Sequence, residues 1–256
     1  MTDYATISVV REGAVDWLTL NRPERLNAID ATLVRELWSY FDGLQSDYSC
    51  RIVVMRGAGK GFCAGLDLTW FREAGAALPT GATDAGPGPS LSDIMLKMRS
   101  CPQAIVALIH GAACGGGFNL ALAADVRIAG RSARMNVAFI KLGLSGCELG
   151  TSYFLPRMLG TSVAAELMMT GRFIHAERAL ATGLVSEVVD DDQLELAART
   201  LVSDLLAASP VGLRKTKEVM TRAAEIEDLA AVIALEERTQ VACMQAGSFA
   251  PTIATR

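Results

Sequence analysis

Two segments of this chain combine small residues with the pattern of a strand turning into a helix. The first is Gly61-Phe62-Cys63-Ala64-Gly65-Leu66-Asp67-Leu68. The second is His110-Gly111-Ala112-Ala113-Cys114-Gly115-Gly116-Gly117-Phe118-Asn119. Small residues at such a turn let the backbone approach a ligand closely. Free N–H groups at the helix start then point at an anion or a developing oxyanion. Two such turns facing each other would make a two-donor oxyanion hole. The plainer alternative is a pair of tight turns in a packed core, the usual meaning of a single glycine cluster.

The chain around these turns has 256 residues, enough for one large domain, or one domain with a small appendage. Hydrophobic residues make up 51% and charged residues 20%, which excludes disorder for most of it. A net charge of −4 gives no electrostatic argument for nucleic acid. Residues 100–124 contain no Asp, Glu, Lys or Arg, a length that suggests a membrane span. Pro102, Gln103, His110, the glycines 115–117 and Asn119 interrupt it. Its longest apolar run, 104–109, has the length of one buried strand. We therefore expect no membrane span. No basic and then apolar segment opens the chain, so no secretory leader is expected and the location is read as cytoplasmic. The six cysteines form no CxxC pair, and His110 and His175 are the only histidines. Reduced thiols and no metal site follow.

The elements that must hold the turns alternate. Residues 5–11 and 14–20 read as a hairpin through Glu12-Gly13. Asp30 is placed to cap a helix over 31–41, with Leu33, Leu37 and Phe41 on one face. Strands are expected at 52–56, 104–109, 126–129 and 185–189, and helices at 92–98 (opened by Ser90 or Ser92) and 116–124. Residues 75–90 are mostly Gly, Ala, Pro and Thr and read as a mobile loop or lid. From Gly150 on the pattern is nearly all helical, with helices at 151–159, 162–170, 176–181, 191–208, 211–224 and 229–245. The order implies an α/β fold with mostly parallel pairing. We divide it into a core at 1–195 and a C-terminal helical region at 196–256.

The run Leu20-Asn21-Arg22-Pro23-Glu24-Arg25-Leu26-Asn27-Ala28-Ile29 resembles the opening signature of the crotonase (enoyl-CoA hydratase/isomerase) superfamily. Residues 62–68 resemble its FCAGADL block and 111–120 its NGxxxGGGxxL block, and the run 123–129 also matches. The resemblance covers about residues 5–220. It implies a spiral of ββα units with a C-terminal helical region used in trimer assembly, as a homotrimer or a dimer of trimers. It also implies an acyl-CoA thioester as substrate, with no separate cofactor. The oxyanion hole maps to the backbone N–H groups of Leu66 and Gly116. Arg25 stands where a basic residue meets the CoA phosphates, with Lys215 and Lys217 as weaker candidates. Ala64, Asp67, Asn119 and Phe139 fall among the substrate-facing positions, although Asp67 reads chiefly as a helix N-cap.

The chain departs from the pattern where hydration is decided. Hydratases of the superfamily carry one glutamate three residues after the oxyanion glycine and a second twenty residues further on. Those positions are Asn119 and Phe139, and neither side chain serves as a general base. One carboxylate remains nearby. Glu148, shortly before Gly150-Thr151, occupies the slot in which several Δ3,Δ2-enoyl-CoA isomerases carry their acid. Burial among Leu144, Cys147 and Leu149 would raise its pKa, and the helix start would lower it. The sequence thus points first to a double-bond isomerase with Glu148 as base. The alternatives are a hydratase or another crotonase-type reaction with atypical acids, and a protein that binds acyl-CoA without turnover.

Overall fold

A computed structural model describes residues 4–75 and 88–247; most of the expected 75–90 lid lies outside the described residues. The chain opens with β1 (Ile7–Glu12), β2 (Val15–Leu20), α1 (Ala31–Leu44), β3 (Ile52–Gly57), α2 (Leu68–Glu73) and α3 (Leu91–Ser100). It continues with β4 (Ala104–Ile109), β5 (Ala112–Cys114), α4 (Gly116–Ala123), β6 (Val126–Gly130), β7 (Arg134–Asn136) and α5 (Thr151–Thr170). It closes with β8 (Ile174–His175), α6 (Ala176–Ala181), β9 (Glu187–Val189), α7 (Leu194–Ala207), α8 (Pro210–Ala223) and α9 (Leu229–Gln245).

The main sheet runs β1-β2-β3-β4-β6-β9, and only its β1–β2 pairing is antiparallel. Alternate residues of β3 serve opposite faces. Val53 and Met55 join the large core with α1, α3, α4 and α5, while Ile52 and Val54 meet Leu194, Ala198 and Val202 of α7. Cover on both faces explains why β4 is apolar at every position. A second small sheet runs β5-β7-β8.

The two sheets are filled in turn, and this gives the spiral. β3 lies in the main sheet, Cys63 bridges the second sheet at Ala113, and α2 follows. β4, β5 and α4 repeat the step, and β6 and β7 begin it again. The sequence expectations miss β5, β7 and β8, because strands of two or three residues are too short to show alternation. The two helices expected at 151–159 and 162–170 form one run, broken where Gly160 takes non-helical angles.

Residues 100–124 resolve into the end of α3, β4, β5 and α4, and every residue of α4 is buried. A helix apolar all round belongs inside a core. Among the described residues no single helix is long and apolar enough to cross a membrane.

Candidate active site

The two glycine-containing turns lie against each other. Phe62 N donates to His110 O (2.9 Å) and Cys63 N to Ala112 O (3.0 Å), while Cys114 N donates to Cys63 O (2.9 Å). The first turn is held from its other side as well. Ile29 N donates to Gly65 O (2.7 Å) and Asp67 N to Ile29 O (2.9 Å), which turns the Leu66 N–H away from Ile29. Gly116 opens α4, so its N–H has no partner within the helix. Among the described residues, neither the Leu66 nor the Gly116 N–H has an acceptor.

The glycines permit this approach. Gly65 has φ +88°, and a Cβ there would lie 2.5 Å from Cys114 O and 3.7 Å from Gly116 N. A Cβ on Gly117 would run into Cys63 O. Larger residues at either place would force the turns apart. An apolar wall surrounds the opening. A Cβ on Gly116 would lie 2.9 Å from Leu91, 3.0 Å from Ile29 and 3.6 Å from Leu149. The Phe139 ring, half-buried, would lie 3.5 Å from a Cβ on Gly115.

Glu148 sits immediately before Leu149 and is exposed, as are Leu144 and Cys147. The burial that the sequence suggested for this carboxylate is not found. The segment runs along the surface, and its backbone is what is anchored. Asn119, buried on α4, donates from Nδ2 to Glu148 O (3.2 Å), Leu149 O (3.1 Å) and Thr151 Oγ1 (2.9 Å). Thr151 N also donates to Glu148 O (2.9 Å). Leu149 holds φ +52°, a left-handed conformation that costs a branched residue roughly 1–2 kcal/mol. The Glu148 backbone is thereby fixed next to a residue that packs on Gly116.

The enoyl-CoA hydratase/isomerase family model matches residues 11–252. The chain belongs to that family. Among similar enoyl-CoA hydratase/isomerase proteins, the probable enoyl-CoA hydratase echA12 of Mycobacterium leprae is 38% identical over 86% of this chain and 75% of its own. The 1,2-epoxyphenylacetyl-CoA isomerase of Escherichia coli is 33% identical over 85% of this chain and 82% of its own. In structure, a putative enoyl-CoA hydratase from Thermobifida fusca in complex with acetoacetyl-CoA superposes with a TM-score of 0.82. It is 30% identical and covers 94% of this chain and 96% of that one.

Asp67 is the N-cap that the sequence suggested, and it is committed to that role rather than free for a ligand. Its Oδ1 caps α2 through Thr69 N and Trp70 N (both 3.1 Å), and its Oδ2 meets Arg22 (3.1 Å). Burial pushes this carboxyl up, but the Trp70 N–H, the Arg22 guanidinium and the Thr69 N–H outweigh it and hold it below the ordinary range. Asn119, read as substrate-facing, commits its amide N–H groups to the 148–151 segment. Lys217 is buried and donates to Met98 O (2.9 Å) and Gln103 O (2.8 Å) while pairing with Asp125 (2.9 Å), so it is unavailable to CoA. Lys215 pairs with Glu218 on the surface. Arg25 is exposed on the turn at 23–25. Ala64 is half-buried, and its N–H goes to Leu26 O (3.0 Å).

Asn27 was missed. Its Nδ2 donates to Ala58 O (2.9 Å), Gly61 O (2.9 Å) and Phe62 O (3.1 Å), which fixes the approach to the first turn. The signal available in the sequence was an asparagine seven residues beyond the β2 end, inside the opening motif. Among the described residues, no group of three His, Cys, Asp or Glu side chains is placed to hold a metal ion. A groove of about 890 Å³ lies between α8 and α9 rather than at the turns. The turns are the candidate site on their donors and neighbours.

Proposed function

We propose that this protein is a Δ3,Δ2-enoyl-CoA isomerase with Glu148 as its base. The observation that carries this is the anchoring of the Glu148 backbone by Asn119, next to Leu149, which packs on Gly116, with Asn119 and Phe139 in the two hydratase glutamate positions. The thioester oxygen accepts from the Leu66 and Gly116 N–H groups. The Glu148 carboxylate takes a proton from C2, and the electron pair spreads over the dienolate to the oxygen held by both donors. The protonated Glu148 then returns a proton to C4, leaving the double bond between C2 and C3. One carboxylate and two N–H donors suffice for this redox-neutral shift. Hydration additionally needs an activated water, which Asn119 and Phe139 do not supply.

In this reading Arg25 meets the CoA phosphates and Phe139 lines the acyl pocket. Exposed Met220, Leu229, Ile233, Val241 and Met244 on α8 and α9 support assembly through the C-terminal helices. The isomerase name of the E. coli relative supports the reading, and the hydratase name of the mycobacterial one supports its rival.

The test follows conversion of a 3-enoyl-CoA to the conjugated 2-enoyl thioester by ultraviolet absorbance, with hydration of 2-enoyl-CoA assayed in parallel. Isomerisation should dominate, and Glu148→Gln should lower it about 10³-fold. Undiminished turnover in Glu148→Gln, or hydration faster than isomerisation, overturns the proposal. Tight acyl-CoA binding with neither reaction would identify a binding protein instead.

A further inference from the structure

The position three residues after the oxyanion glycine, where hydratases keep a base, is not vacant of purpose here. We infer that Asn119 is a positioning residue that locks the segment carrying Glu148 onto the helix that supplies one donor of the hole. The inference rests on the isomerase reading above.

Three observations support it. Asn119 is 1% exposed, so its amide is not spent on solvent. Its Nδ2 lies within hydrogen-bond distance of three oxygens, all in 148–151: Glu148 O at 3.2 Å, Leu149 O at 3.1 Å and Thr151 Oγ1 at 2.9 Å. The segment also needs holding, because Leu149 stands at φ +52° and is followed by Gly150 at φ +84°. A strained backbone persists only where its surroundings over-determine it.

The geometry couples the two halves of the site. Asn119 N donates to Gly115 O (3.0 Å) within the first turn of α4, one residue before the Gly116 donor. The same residue's side chain holds the carbonyl of Glu148. A shift of the backbone that carries the base, relative to the hole, therefore requires breaking the Asn119 bonds. An exposed carboxylate on a surface segment gains its orientation from this backbone clamp rather than from burial of its own side chain.

The test is a double-mutant cycle on the full chain with 3-enoyl-CoA. Asn119→Leu keeps the approximate volume and removes both amide donors. Misplacing the base should lower kcat about 100-fold, while KM should change less than about threefold, because the hole is left intact. In a Glu148→Gln background, Asn119→Leu should cause no further loss, since it acts through Glu148. Hydrogen exchange should show lost protection at the Thr151 amide with the β4 amides unchanged. Asn119→Ser, which keeps one donor, should recover part of kcat and serves as the cycle partner should the leucine variant fail to fold. Full activity in Asn119→Leu, or a loss that is additive with Glu148→Gln, overturns the positioning role alone. Full turnover in Glu148→Gln overturns the isomerase reading itself.

Discussion

Cys63 and Ala113 form a parallel bridge that ties the two glycine turns together, through Cys63 N to Ala112 O at 3.0 Å and Cys114 N to Cys63 O at 2.9 Å. This pair places the Leu66 and Gly116 N–H groups on neighbouring backbone. Burial pushes the Cys63 thiol up to about 12, so it stays protonated and acts as packing between the two turns.

Gly117→Ala tests the contact at this bridge. The added methyl meets Cys63 O and lies 2.7 Å from Cys63 Sγ. Overpacking of this kind should destabilise the fold by about 1–3 kcal/mol. Urea denaturation should show the loss, with activity falling in parallel as the turns separate.

Gly116→Pro separates the proposed oxyanion donor from the helix that carries it. Proline is accepted at the first position of a helix but carries no N–H. The flexible end of Leu91, 2.9 Å from the new Cβ, has to move. Circular dichroism should stay close to that of the parent, while kcat/KM for 3-enoyl-CoA falls about 10²–10³-fold. Unaltered kcat/KM would remove Gly116 from the hole.

Lys217→Met addresses an internal strut. The ammonium links the end of α3 at Met98 O to Gln103 O and Asp125. Methionine fills similar space and leaves those acceptors without their cation, so a loss of about 3 kcal/mol is expected in urea denaturation. The KM for acyl-CoA should hardly change, which distinguishes this role from phosphate binding.

Asp67→Asn carries a pH signature. The folded-state pKa of Asp67 is held below its ordinary value. Its contribution is therefore present above the unfolded pKa of about 4 and is lost as pH falls through the lower folded value. Asparagine keeps the cap but not the charge toward Arg22. The variant should be less stable by about 1–2 kcal/mol near pH 7, and thermal melts of the two proteins should converge as pH falls below the unfolded value and through the lower folded one. A difference that is independent of pH would argue against the ion pair.

Much of the fold is legible in local patterns. Asp30 caps α1 through Leu33 N (2.8 Å), as its place before an amphipathic run predicts. Ser90 and Asp93 make a capping box at α3. β4 and α6 fall on the expected residues because apolar run length and turn chemistry are local properties. The second sheet is not legible, since its short strands owe their existence to partners distant in sequence.

At the site, residue types alone identified two small-residue turns, while the motif order carried the resemblance, and it is the resemblance that marks Asn119 and Phe139 as the lost hydratase glutamates. The uncharged stretch 100–124 also yields to sequence: its length and interruptions describe a buried strand, a turn and a core helix. Tertiary structure alone decided which polar groups remain unspent. Asp67, Asn119 and Lys217 are all polar residues within or beside recognisable motifs, yet each is consumed by backbone or charge partners: Arg22 45 residues away, Glu148 29 residues away and Met98 119 residues away. Hydrogen-bond satisfaction depends on what folding brings within about 3 Å, and a linear sequence does not encode that distance locally. The same reason leaves Glu148 exposed and positioned through its backbone, where the sequence suggested a carboxylate shaped by burial.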